Sequence, residues 1–157
     1  MAVRLVKNGG SVIDVAIIDM PGSGTLKNGS VVEFSRTGGL GVVPATSSST
    51  STNIFGVCLD YAQGASDVTV KVIPFNDGQL WEIDCVNAAS TAQVGLRHVL
   101  DDHLNLRNTA TDLGAGNNAT AVFRAVAISS LTTGSGKLIG YFRQSEGVVY
   151  PSATTFA

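Results

Sequence analysis

A chain of 157 residues, 44% hydrophobic and 14% charged, is the size of one domain and too apolar for charge-driven disorder. Its net charge of −2 includes ten dispersed cations, Arg4, Lys7, Lys27, Arg36, Lys71, Arg97, Arg107, Arg124, Lys137 and Arg143. Nucleic-acid binding needs cations clustered along a phosphate track, so no nucleic-acid partner is expected. No apolar run approaches the roughly 20 residues of a membrane helix, so no membrane is expected either.

Sparse charge weakens a usual protection against association, so much of the surface is expected to meet other protein. Residues 1–157 read as a single β-rich domain. The opening "MAVRLVKNGGSVIDVAIIDMPGSG" is interrupted by Asp14 and Asp19 and has no continuous apolar run before a cleavage site, so no export signal is expected. The sequons at Asn28 and Asn118 then serve as turns.

In "SVIDVAIID", Ile13, Val15 and Ile17 alternate on one strand face. Pro21-Gly22 and Asn28-Gly29 punctuate turns, leaving room for short strands around 31–34 and 40–43. "TSSSTST", 46–52, predicts a flexible surface loop. "NIFGVCLDYA" resumes strand character. In "DVTVKVIPF", Val68, Val70 and Val72 oppose Thr69, Lys71 and Ile73, and Pro74 ends the run. "QLWEIDC" places Trp81, Ile83 and Cys85 on an inner face and Leu80, Glu82 and Asp84 on an outer, solvated acidic one.

"AASTAQVGLRHVLDD" mixes helix-favouring alanines with a central Gly95 and predicts loose structure, then a short strand or turn. Further strands are predicted at 104–107, around 122–127 and from Lys137. Turn signals every 8 to 12 residues or so, without a long helical period, predict an all-β sandwich or barrel.

The reactive side chains form no recognised constellation. Cys58 and Cys85 lie in strand-like runs and read as small buried hydrophobes, with a bridge between neighbouring strands as the alternative. There is no C-x-x-C, and His98 and His103 read as loop or strand residues rather than zinc ligands. Gly134-Ser135-Gly136-Lys137 lacks the glycine and the Ser/Thr that a phosphate loop needs at 131 and 138, both of which are leucine. No G-x-S-x-G elbow occurs. Glu82 with Asp84, and Asp101 with Asp102, are sequence neighbours rather than carboxylates facing across a cleft. No catalytic, metal or cofactor-binding residue is expected, and the chain reads as a non-enzyme.

The order of segments carries more. "GSVVEFS", a Ser/Thr loop and then "IFGVCLDYAQGASDVTVKVIPFNDGQLWEI" resemble the head decoration (capsid cement) proteins of tailed bacteriophages. In that family a strand ending in Tyr-Ala follows a flexible loop, then come a small-residue turn, an alternating valine strand and an aromatic-acidic strand. "VGLRHVLDDHLNLRN", "AVFRAVAIS", a Gly-rich turn and "KLIGYFR" are similar to the family's closing half, so the resemblance spans about residues 28–144.

The resemblance implies a small β-barrel or β-tulip-like domain with long loops, made in the host cytoplasm. It would sit on the outer capsid surface of the virion as a homotrimer. There it would bind the major capsid protein and stabilise the expanded head by bridging capsomers, with no cofactor. Residues 1–20 would be an extended N-terminal arm or a first strand, and 145–157 a flexible tail. Exposed aromatics would anchor the contacts, with Phe34, Tyr61, Tyr150 and Phe156 as candidates and Trp81 assigned to the core. The alternatives are another virion component of the tail or head-completion type, or a small ligand- or sugar-binding β-module.

Overall fold

A computed structural model describes residues 3–8, 16–35, 41–76, 79–108, 119–130 and 136–142. Eleven strands account for most of them: β1 Val3–Asn8, β2 Ile18–Leu26, β3 Ser30–Phe34, β4 Val42–Pro44, β5 Ile54–Cys58, β6 Ala62–Pro74, β7 Gln79–Cys85, β8 Arg97–Leu100, β9 Asn105–Arg107, β10 Phe123–Ser130 and β11 Lys137–Phe142. The chain is all-β, as its turn spacing predicts. No α-helix occurs among the described residues, and a single 3-10 turn, Thr91–Gln93, breaks the strands.

The strands make two bodies. β2, β4, β3, β5 and β6 close into a barrel, and the others form a six-stranded sheet in the order β1-β7-β11-β10-β8-β9. The sheet also closes, because β9 pairs antiparallel with β8 and parallel with β7. β1 and β9 therefore share one edge of β7, with β1 opposite residues 79–83 and β9 opposite Asp84 and Cys85.

Two cores result. The barrel encloses Leu26, Val32, Val42, Cys58, Ala62, Val70 and Val72. The larger core lies within and beneath the sheet. There Phe75 stacks on Phe142 with centroids 4.1 Å apart, and Trp81 meets the Phe75 ring edge-on at 5.5 Å. Barrel strands reach into this core too, through Val31, Ile54, Val57 and Ile73.

Adjacent residues thus serve different cores: Val31 and Val32, Val57 and Cys58, Val72 and Ile73. β3, β5 and the end of β6 form a wall buried on both sides. Alternation in β6 has the predicted phase at Val70 and Val72, which point inward, and at Thr69 and Lys71, which are exposed; Val68, expected on the inner face, is exposed, and the outward Ile73 is buried by the sheet. On β5 the register against β3 slips at Phe55, since Val32 faces Gly56 and Glu33 faces Ile54. The slip resets the alternation, so that Ile54 and Val57 both point to the larger core. Gly56 is forced by the same packing: a Cβ there would lie 2.2 Å from the Ile73 carbonyl oxygen.

Three expectations change. The 46–52 segment, predicted as a flexible loop, is folded into turns: Thr46 N donates to Ser49 Oγ at 2.8 Å, and Ser49 is buried. Short hydroxyl side chains that bond nearby backbone are a stable turn chemistry, which composition alone does not separate from a linker. The 88–96 stretch is not loose. Gln93 Oε1 accepts Ser90 N at 2.9 Å, while its Nε2 donates to Asn108 O at 2.8 Å and Ala88 O at 3.4 Å. Asn108 returns the tie, with Nδ2 donating to Asn87 O and Oδ1 accepting Asn87 N. Third, of the strand predicted in 11–19, residues 11–15 lie outside the described residues, and Ile17 is exposed just before β2.

Trp81→Ala would empty the centre of the larger core and is expected to cost about 3–5 kcal/mol. Gly56→Ala would push backbone against backbone in the shared wall, at about 1–3 kcal/mol. Urea unfolding measures both. A Gly56→Ala protein as stable as the parent would show that the wall gives way at that point.

Candidate interaction surface

The four proposed aromatic anchors fare differently. Tyr61, between β5 and β6, is 65% exposed. Phe34 ends β3 and is 44% exposed, and its ring lies 4.6 Å from Phe55, which packs on the barrel core. Half of Phe34 is therefore packing. The two are not brought together: Phe34 N bonds Asn53 O at one end of the β3–β5 pair, while Tyr61 follows Cys58, which faces Ser30 at the other. Tyr150 and Phe156 lie outside the described residues. Trp81 is buried, as its strand phase predicts.

Exposed apolar side chains outside the candidate anchors are Val6, Ile17, Ile18, Val68, Val86 and Val126. Apart from the neighbours Ile17 and Ile18 they come from different stretches, and no local signal separates them from core valines and isoleucines.

The outer face of β7 is not the solvated acidic strip its sequence suggests. Register sets Arg4 opposite Glu82, and the guanidinium meets the carboxylate twice, Nε–Oε1 at 3.1 Å and Nη2–Oε2 at 3.2 Å. Ser129 Oγ also donates to Glu82, and Lys137 from β11 pairs with Asp84. The Glu82 side chain is only 11% exposed. The Arg4 hydrogen bonds hold its pKa below the ordinary 4.5, against the opposing pull of burial and with help from Ser129. Neighbouring cations were invisible because they come from strands far away in sequence.

The remaining reactive groups are tied to structure. Cys58 and Cys85 are free and buried, and burial pushes the Cys85 thiol up to about 12 and raises Cys58 as well. Neither supplies thiolate at neutral pH. His98 is buried with Nε2 3.0 Å from Gln93 O, and His103 Nδ1 lies 2.8 Å from Ser30 Oγ, so the two rings serve separate partners. Asp101 pairs with Arg107 at 3.3 Å, and Asp102 Oδ1 accepts the Leu104 and Asn105 amides. Lys137 opens a strand, where a phosphate loop would need a helix.

Among the described residues no group of three or more His, Cys, Asp or Glu is placed to hold a metal ion. No helix among them is long and apolar enough to cross a membrane. No family model matches the chain, and no curated protein matches it either.

The Arg4–Glu82 pair fixes β1 to the sheet and predicts an acid-side response. Because the folded-state pKa of Glu82 is lowered, its contribution is present above about 4.5 and is lost as pH falls through the folded value. Arg4→Ala is expected to move the acid unfolding midpoint to higher pH. Melting curves between neutrality and strong acid test this, and an unchanged midpoint would mean that the pair holds nothing in place.

Proposed function

We propose that the chain is a head decoration protein of a tailed bacteriophage. It sits as a homotrimer on the outer surface of the expanded capsid, where it bridges subunits of the major capsid protein. The observation that carries this reading is the ordered series of segments over residues 28–144. The quoted runs fall on β3, on β5 to β7 and on β8 to β11.

The fold supports the same reading mechanically. A load on either body passes into a wall that both cores share, and the exposed apolar side chains come from many elements, β1, β2, β3, β6 and β10 among them. A cement protein works through repeated weak contacts whose combined strength exceeds any one of them. On this reading it runs no reaction and needs no cofactor, and Tyr61 and the exposed half of Phe34 touch the shell or a sister copy.

The test is to mix purified protein with expanded, undecorated phage shells and sediment them. Saturable binding at a fixed number of copies per shell, in multiples of three, is the expected result. Tyr61→Ala, which removes a side chain that is mostly in solvent, should weaken binding and leave melting unchanged. A compact monomer that binds no expanded shell would overturn the proposal.

A further inference from the structure

The two bodies are hydrogen-bonded to each other where the turn after β8 meets the start of β3. Val31 N donates to His103 O at 2.8 Å, and His103 Nδ1 lies 2.8 Å from Ser30 Oγ. Ser30 has no exposed surface, and its Oγ already accepts Lys27 N at 2.8 Å. The hydroxyl hydrogen is therefore free to go to Nδ1, which makes the neutral ring the Nε2–H tautomer. A hydrogen on Nδ1 would leave the serine hydroxyl hydrogen without an acceptor in a fully buried place. The imidazolium ion, a donor at both nitrogens, is in that position.

We propose that the Ser30–His103 bond is a proton-sensitive latch between the barrel and the sheet. It is closed while the imidazole is neutral and released when the ring takes a proton. The proposal is independent of what the protein binds.

The surroundings favour the neutral ring. Burial lowers the His103 pKa from the ordinary 6.5, Lys27 on the β2–β3 turn lowers it further, and Asp102 acts in the opposite direction. The Asp102 carboxylate is engaged by the Leu104 and Asn105 amides, and Asp101 is paired with Arg107. From β5 the only titratable group at this level is the Cys58 thiol, opposite Ser30, whose pKa is raised by burial. β3 carries Glu33 three positions from Ser30, beyond Val31 and Val32.

For a base whose folded-state pKa is lowered, the unfolded chain binds the proton more readily. The latch is thus intact above about pH 6.5, and its stabilisation is lost as pH falls from there toward the folded value.

His98 is the second imidazole of the chain, so the test is site-resolved. Nitrogen-15 NMR of the imidazoles should show His103 as the Nε2–H tautomer, titrating below 6.5. Exchange of the Val31 and Lys27 amides, corrected for the intrinsic rate, should accelerate several-fold between about pH 7.5 and about pH 5.5, while the β10–β11 amides stay protected. Ser30→Ala should raise the His103 midpoint. His103→Gln, which keeps an acceptor but cannot titrate, should lose the pH response at Val31 and Lys27. An Nδ1–H tautomer, a midpoint at or above 6.5, or an undiminished response in His103→Gln would overturn the latch.

Discussion

Everything in this fold turns on a wall of strands buried on both faces. β3, β5 and the end of β6 line the barrel with Val32, Cys58 and Val72 and line the larger core with Val31, Val57 and Ile73. An ordinary half-exposed strand has one face that water can accommodate. At residues 30–32, 56–58 and 72–73 these have none, so the wall there consists of small and β-branched side chains that fit against two close-packed interiors at once. Gly56 is the extreme case, where even a methyl group would meet backbone. Neither core can be repacked without disturbing the other.

Where the wall has no wet face, a hydroxyl such as that of Ser30 has to find its partners locally. Ser30 does so through Lys27 and His103. The connection from β7 to β8 follows the same logic. The amides of Gln93 and Asn108 replace a sheet ladder there, bonding Ala88, Asn87 and Ser90 over a stretch that makes no regular structure except one 3-10 turn. Side-chain amides suit this role because each brings two donors and an acceptor to a place where strand geometry provides neither.

How much of this could be read beforehand follows from which interactions are local. Period-two alternation in Val70–Ile73 and in Trp81–Cys85 fixes strand phase, and both runs have the phase read from sequence. The paired apolar residues "VV", "VC" and "VI" at 31–32, 57–58 and 72–73 were a visible sign of two-sided burial. Taken one strand at a time, however, each pair looks like a small imperfection of alternation. What stayed hidden depends on register between distant segments. Glu82 and Asp84 look like solvated acids until β1 and β11 bring Arg4 and Lys137 to them. Gln93 looks like a residue of a poor helix until Asn108 arrives from 15 positions away. Residue type near loops nominates the candidate anchors, and type alone does not show that Phe34 lies half against Phe55 while Tyr61 is mostly exposed.

Closure of both bodies also bears on the edges that a chain with only 14% charged residues offers to other chains. Open strand edges template pairing with other chains, and charge is the usual deterrent. Here the strands largely remove the edges instead. Among the described residues β1 is the one strand with a single partner, and Arg4 and Glu82 pin it down. Exposed apolar residues come from several elements, Val6, Ile17, Ile18, Phe34, Tyr61, Val68 and Val126 among them. None of these is a strong site alone. On the proposed reading, such a surface holds its partner through many contacts presented together, as a regular protein lattice presents them.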